Sequence, residues 1–172
     1  TADFNGTNFP KTQQEFELHF KGLVAFYDPP KKNIKAVLET FYKAGIAVKI
    51  ITGDNAETTA TIAQQIGFKN PEKILNGDEL MTMSPATLKE KVMETTIFTR
   101  MFPEAKLKII QALKDNNQIV AMTGDGVNDG PALNSAHIGI AMGKKGTEIA
   151  KQAANLILVD DKFTKMTDAI AM

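Results

Sequence analysis

The feature that most constrains this chain is a repeated alternation of short apolar runs with longer amphipathic stretches. Apolar runs at 46–51, 97–99, 119–122, 138–141 and 156–159 are rich in Ile, Val, Ala and Leu, and several end in turns built from Gly, Asp or Asn. Runs this short, mostly apolar rather than apolar at every second residue, suit strands buried on both faces. Helix-length segments between them suit right-handed crossovers. The pattern predicts an α/β fold, a three-layer parallel sheet with helices on both faces, Rossmann-like in type. In such sheets ligands gather at the carboxyl ends of the strands.

The size of the chain, 172 residues, fits one domain with a real core. Twenty basic and twenty acidic residues cancel, so no nucleic-acid or membrane-surface footprint stands out. With no cysteine, disulfides, thiolate catalysis and Cys-based zinc sites are excluded. No apolar run reaches bilayer-spanning length and no signal peptide opens the chain. Thr1 in the place of an initiator Met, and a stop at Ala171-Met172, suggest a piece of a longer protein.

Taken in order, residues 1–15 read as a polar linker, and the alternation around Phe16, Leu18 and Phe20 predicts a strand over 16–26. Asp28-Pro29-Pro30 stops it and opens a helix to about residue 44, closed by Gly45. A strand at 46–51 leads through Thr52-Gly53-Asp54-Asn55 into a helix over 57–66. A short strand at 73–75 and a turn at Asn76-Gly77 follow, then a helix from Ser84-Pro85. After the strand at 97–99, Pro103 opens another helix. The strand at 119–122 runs into Thr123-Gly124-Asp125-Gly126-Val127-Asn128-Asp129. Helices over 131–136, 147–153 and 162–171 alternate with strands at 138–141 and 156–159, and a glycine-bounded turn spans 143–146. Asp160-Asp161 reads as a solvated helix cap, His137 as a packing or solvent-facing residue, and Met81, Met93, Met122 and Met142 as packing or surface residues.

Three groups then share one end of the predicted sheet. Thr52, Gly53 and Asp54 offer a hydroxyl and backbone amides suited to phosphate oxygens. Lys106 adds a point charge for the same anion. Asp125 and Asp129, leaving a glycine turn with Asn128, suit one Mg²⁺, an ion held by one or two carboxylates plus phosphate and water. This is a phosphoryl-transfer constellation without a nucleophile of its own. Other patterns fail: Gly124-x-Gly126-x-x-x-Gly130 is misspaced for a dinucleotide fingerprint, Gly143-Lys144-Lys145-Gly146-Thr147 for a P-loop, and 125–130 lacks the alternate acids of an EF-hand.

Asp28-Pro29-Pro30, Ile51-Thr52-Gly53-Asp54-Asn55, the stretch 100–106 and the stretch 122–133 together resemble the successive motifs of P-type ATPases, cation pumps built on the haloacid-dehalogenase fold. The resemblance covers about 22–170 and is most specific over 122–129. It implies that Thr52 and Gly53 contact an aspartyl-phosphate, Lys106 neutralises its oxygens and Asn128 helps hold it. It implies Asp125 as a Mg²⁺ ligand, with Asp129 orienting the metal and the lysine. Asp54 and Arg100 match positions near the nucleotide or the hinge, and Asp28 marks the hinge itself. Residues 1–28 then read as linker and exit strand from a nucleotide-binding domain, and 29–172 as the C-terminal part of the phosphorylation domain.

The family's Asp-Lys-Thr-Gly-Thr stretch does not occur in these residues, so the resemblance places the phosphorylated aspartate upstream of Thr1. The fold is therefore expected to lack its central nucleophile strand, between the strands at 46–51 and 119–122, and to respond by rearrangement, self-association or strand borrowing. ATP is the implied substrate of the parent protein and Mg²⁺ its cofactor. The implied partners are the upstream strand, the nucleotide-binding domain and the actuator domain of the same chain, with no nucleic acid and no direct membrane contact by this part. The implied location is the cytoplasmic portion of an integral membrane protein. The segment 142–147 and the link 20–30 resemble calcium-pump-like members, which makes calcium the expected ion. The alternatives are a soluble haloacid-dehalogenase-like phosphatase, which would carry its nucleophile near the start, and a non-catalytic Mg²⁺- or partner-binding module. A receiver domain would place its acids before the threonine and lysine, the reverse of the order here.

Overall fold

In the computed structural model, residues 9, 11–16, 18–24 and 29–170 are described. Among them, six parallel strands alternate with helices, in keeping with the apolar runs: β1 (Ile50–Ile51), β2 (Ile74–Asn76), β3 (Ile97–Thr99), β4 (Ala121–Gly124), β5 (Ile138–Met142) and β6 (Leu156–Leu158). The strands form two three-stranded sheets, ordered β1-β3-β2 and β4-β5-β6, rather than one. β1 is an outer strand of one sheet and β4 an outer strand of the other. Among the described residues no strand pairs with the outer side of either, so each keeps an open ladder edge. A continuous sheet would need a strand between them, the position expected for the nucleophile strand.

One helical layer holds the halves together. Helices α4 (Pro85–Glu94), α5 (Pro103–Asp115) and α6 (Gly130–Ser135) bury Val92, Ile109, Ile110 and Leu133 against Leu75 and Phe98 of one sheet and Met122 and Ala141 of the other, in a single core. Each fully buried Ile, Leu or Phe contributes about 1.5–3 kcal/mol. The far face of the first sheet is covered by α1 (Ile34–Lys43) and α2 (Ala56–Gln65) around Leu38, Ala63, Phe68 and Ile97. The far face of the second buries Ile140, Met142 and Leu158 beneath Phe163 and Met166, the latter on α8 (Thr164–Ile170). Both sheets are thus apolar on two sides, giving three layers.

The helix ends follow their local chemistry. Ser84 accepts the Thr87 amide with Pro85 at the first helical position, Asn55 accepts Thr58, and Asn76 accepts Glu79 at the start of α3 (Gly77–Thr82). Asn76-Gly77, expected as a turn, is thus a helix cap, and Gly77 is required there because a side chain would strike the Arg100 carbonyl.

Four expectations are corrected. The strand expected over 16–26 is not formed across residues 18–24, where Leu18, Phe20, Leu23 and Val24 are all exposed. Alternation favours a strand where one face is buried, and these residues bury neither. The strand expected at 46–51 is reduced to Ile50–Ile51 because β3, its only neighbour among the described residues, begins at Ile97. The helix expected from Pro29 begins at Ile34, after a turn. Asp161 is not a solvated cap: it is buried, and its carboxylate accepts the Lys144 and Lys145 amides at 3.0 Å each.

Two tests follow from this packing. Thr99 is fully buried, and its hydroxyl has no partner among the described residues. Thr99→Val removes that desolvated group at nearly constant volume, so urea unfolding should show a gain of about 1 kcal/mol. The Lys144 amide, then burial acting in the opposite direction, then the Lys145 and Gly143 amides and the Lys31 charge, hold the Asp161 carboxyl below its ordinary range on balance. A depressed carboxylate stabilises the fold above its unfolded pKa, about 3.9, and loses that contribution as pH falls through the lower folded value. Exchange protection of the Lys144 and Lys145 amides should therefore hold at pH 5 and decline below about pH 4.

Candidate functional site

The site lies at the carboxyl ends of β1, β3 and β4, and one glycine sets its tightest feature. At Gly124 an added Cβ would lie 2.6 Å from Asp129 Cβ, so only glycine lets the acid fold back over the end of β4. Asp129 is buried and uses both carboxylate oxygens. Oδ1 accepts Lys106 Nζ at 2.7 Å, while Oδ2 accepts the Gly126 amide at 3.1 Å and the Asp125 amide at 3.3 Å. Lys106 reaches it from the first turn of α5, whose start is set by Pro103. The pair is largely shielded, with side-chain exposures of 14% and 11%.

That arrangement separates the two acids. Asp129 is spent on the lysine and the loop backbone, whereas Asp125 is exposed and accepts no hydrogen bond from the described residues through its carboxylate. Its backbone carbonyl is held by the Thr147 amide at 2.8 Å. Asn128 is exposed on the same loop, in a 3₁₀ turn over Val127–Asp129.

The threonine group forms a second cluster. Thr52 Oγ1 donates to Asp54 Oδ2 at 3.0 Å and accepts the Asp54 amide at 3.1 Å. Arg100 takes the left-handed conformation (φ 52°) and donates its amide to the Asp54 carbonyl, while Met101 donates to the Thr52 carbonyl. Gly53, Asp54 and Arg100 are exposed. The structure therefore brings Lys106, Asp125, Asn128 and Asp129 together on one side, and Thr52, Gly53, Asp54 and Arg100 on the other. Met101 and the start of α5 join the two groups; no hydrogen bond runs directly between them among the described residues. Asp28 lies outside the described residues.

No group of three or more His, Asp or Glu side chains converges to hold a metal among the described residues. The donor set fits a hard cation that takes only part of its shell from the protein: one free carboxylate, and a second acid already engaged in fixing the loop. Missed by sequence reasoning is Asp161, whose clamp on the 143–146 turn lies next to Thr147. The two glycines bounding that turn were the available signal, since backbone amides turned inward call for an acceptor.

These features define a three-layer α/β fold with an acidic loop at its strand ends, and comparison with known proteins agrees. The family model of haloacid dehalogenase-like hydrolases matches residues 5–137, and the chain belongs to that family. It is 46% identical over 154 residues to the human calcium-transporting ATPase type 2C member 2, and 43% identical over 157 residues to calcium-transporting ATPase 1 of Saccharomyces cerevisiae. These alignments cover 89% and 90% of this chain but only 16% of each relative, so the chain spans about one sixth of their length. A solved catalytic domain of the CPx-ATPase CopB-B superposes with a TM-score of 0.64 at 27% identity, covering 83% of this chain and 46% of that one. No helix among the described residues is long and apolar enough to cross a membrane.

Removing Lys106 would leave Asp129 shielded without its cation. Lys106→Met should cost about 1–3 kcal/mol in urea unfolding. Because the two groups share one interaction, adding Asp129→Asn should cost less than the sum of the single changes.

Proposed function

We propose that this chain is the C-terminal part of the phosphorylation domain of an ATP-driven cation pump, with residues 1–28 leading in from its nucleotide-binding domain. The observation that carries the reading is the division of labour at β4: Asp129 fixes Lys106 and the loop backbone, and Asp125 is left free. Calcium is the transported ion in this reading, supported by similarity to calcium-transporting ATPases of human and yeast. The parent would be an integral membrane protein, with this part on its cytoplasmic side.

The chain's own groups have distinct tasks in that reaction. Thr52 Oγ1 and the amides following β1 bind the equatorial oxygens of the transferred phosphoryl group. Lys106, reaching in from the side of the acidic loop, offsets charge as it develops there. Asn128 supplies an amide donor. Asp125 holds Mg²⁺, with Asp129 keeping the loop and the lysine in place. Mg²⁺, when bound, neutralises charge on the phosphoryl oxygens and orients them. Catalysis by this half is therefore positioning and electrostatics, and the nucleophilic carboxylate is supplied by the upstream strand of the same parent chain. That strand would enter between β1 and β4, where both ladders are open. Without it the 172-residue chain should form no phosphoenzyme and should tend to self-associate through those edges.

Calorimetric titration with Mg²⁺ tests the assignment. Asp125→Ala should weaken binding by about ten-fold or more, and Asp129→Ala by less, through disorder of the loop. If both variants bind Mg²⁺ as the parent chain does, the metal assignment fails. Incubation with ATP should label the chain only when the upstream aspartate segment is restored. Labelling without it would favour a self-sufficient phosphatase-like domain.

A further inference from the structure

The turn over 143–146 has more anchors than a surface loop needs. The Gly143 amide donates to the Leu158 carbonyl at 2.9 Å, and the Lys144 and Lys145 amides donate to the Asp161 carboxylate at 3.0 Å each. Both glycines are obligatory. A Cβ on Gly143 would lie 2.7 Å from the Val159 Cα, and one on Gly146 would strike the Met142 carbonyl. The next residue, Thr147, donates its amide to the Asp125 carbonyl at 2.8 Å and caps α7 (Glu148–Ala153) with its side chain.

Asp161 itself is fixed from two directions. It takes the left-handed conformation (φ 57°), with its amide on the Leu158 carbonyl at 3.0 Å. Lys31 donates to its carbonyl at 2.8 Å from 130 residues earlier, and the same ammonium lies 4.7 Å from the Phe163 ring centroid. A non-glycine residue keeps that backbone conformation where its surroundings over-determine it.

We propose that Asp161 is a positioning residue for the phosphoryl-transfer site, setting the place of Asp125 through the 143–147 turn. The path is continuous: the Lys31 ammonium and the β6 end fix Asp161, Asp161 fixes the Lys144 and Lys145 amides, and the turn presents the Thr147 amide to the Asp125 carbonyl. Among the described residues Asp125 has no side-chain partner of its own, and it is held there by this backbone bond and the amide bond to Asp129. Through Lys31, adjacent to Pro30, the same path ties the segment entering α1 to the acidic loop. The proposal rests on the reading of Asp125 as the Mg²⁺ ligand.

Two measurements on Asp161→Ala test it: amide exchange at Thr147, and Mg²⁺ affinity by calorimetry. The Thr147 amide should exchange faster, and Mg²⁺ should bind about ten-fold more weakly, the low end of what outer partners of metal ligands cost. Asp161→Asn, which keeps one acceptor oxygen, should fall between, and it is read by the same measurements if the alanine variant does not fold. An unchanged Thr147 amide, or faster exchange with unchanged Mg²⁺ affinity, overturns the proposal. Asp125→Ala, run alongside, separates the two ideas. If it leaves Mg²⁺ affinity unaltered, the metal assignment falls. If it abolishes binding while Asp161→Ala does not weaken it, only the positioning role falls.

Discussion

The pairing of Asp129 with Lys106 is the constraint on which the site depends. Two charges brought out of water are costly to hold unless each is matched and hydrogen-bonded. Here the match is complete on the carboxylate side: one oxygen takes the ammonium and the other takes two backbone amides. Three structural facts follow. Gly124 must lack a side chain, because the carboxylate lies over it. The loop is pulled into a 3₁₀ turn that runs directly into α6. Asp125, next to the clamp rather than in it, keeps its carboxylate open to solvent. Two acids four residues apart thus become chemically unlike, one internal and structural, the other available to a ligand.

The pair also spans the division of the fold. Lys106 belongs to α5, which follows the first sheet, and Asp129 to the loop after the first strand of the second. Where the ladders of β1 and β4 do not meet, the connection is made by side chains. The shared apolar core beneath α4, α5 and α6 supplies most of the cohesion, because burial is non-directional and needs no register. The ion pair supplies direction, fixing where the end of one sheet stands relative to the other.

What was legible in the sequence follows the range of the interaction concerned. The parallel α/β class, the order of elements and most helix starts depend on local pattern and capping, and Ser84-Pro85, Pro103 and Gly45 marked their elements correctly. The extent of β1 was not legible, since a strand ends where its neighbour does, and β3 is three residues long. The segment 18–24 carries a strand's alternation but buries neither face. At the site, residue types and spacing pointed to Lys106, Asp125 and Asp129 together but could not divide their roles, because that depends on which oxygen meets which amide. Asp161 was read as a cap because its neighbours in sequence are polar; its actual partners are the amides of a turn 16 and 17 residues earlier and a lysine 130 residues away.

The two clusters differ in how firmly the protein holds them, and this bears on how the site is completed. The acidic loop is fixed by an ion pair, by amides on Asp129, and by Thr147 on the Asp125 carbonyl. Thr52 has its hydroxyl turned to Asp54, a neighbour on its own exposed turn, in a bond that a phosphate oxygen can replace without leaving a buried group unpaired. In the proposed function, a rigid side for the metal and an exchangeable side for the phosphate would suit a reaction in which the cation site persists while the phosphoryl group arrives and leaves. Preorganised charge acts without rearrangement at the moment of transfer, so the acids gain from being clamped. A ligand that must depart is better held by donors that have another partner to return to, and Asp54 is that partner for Thr52.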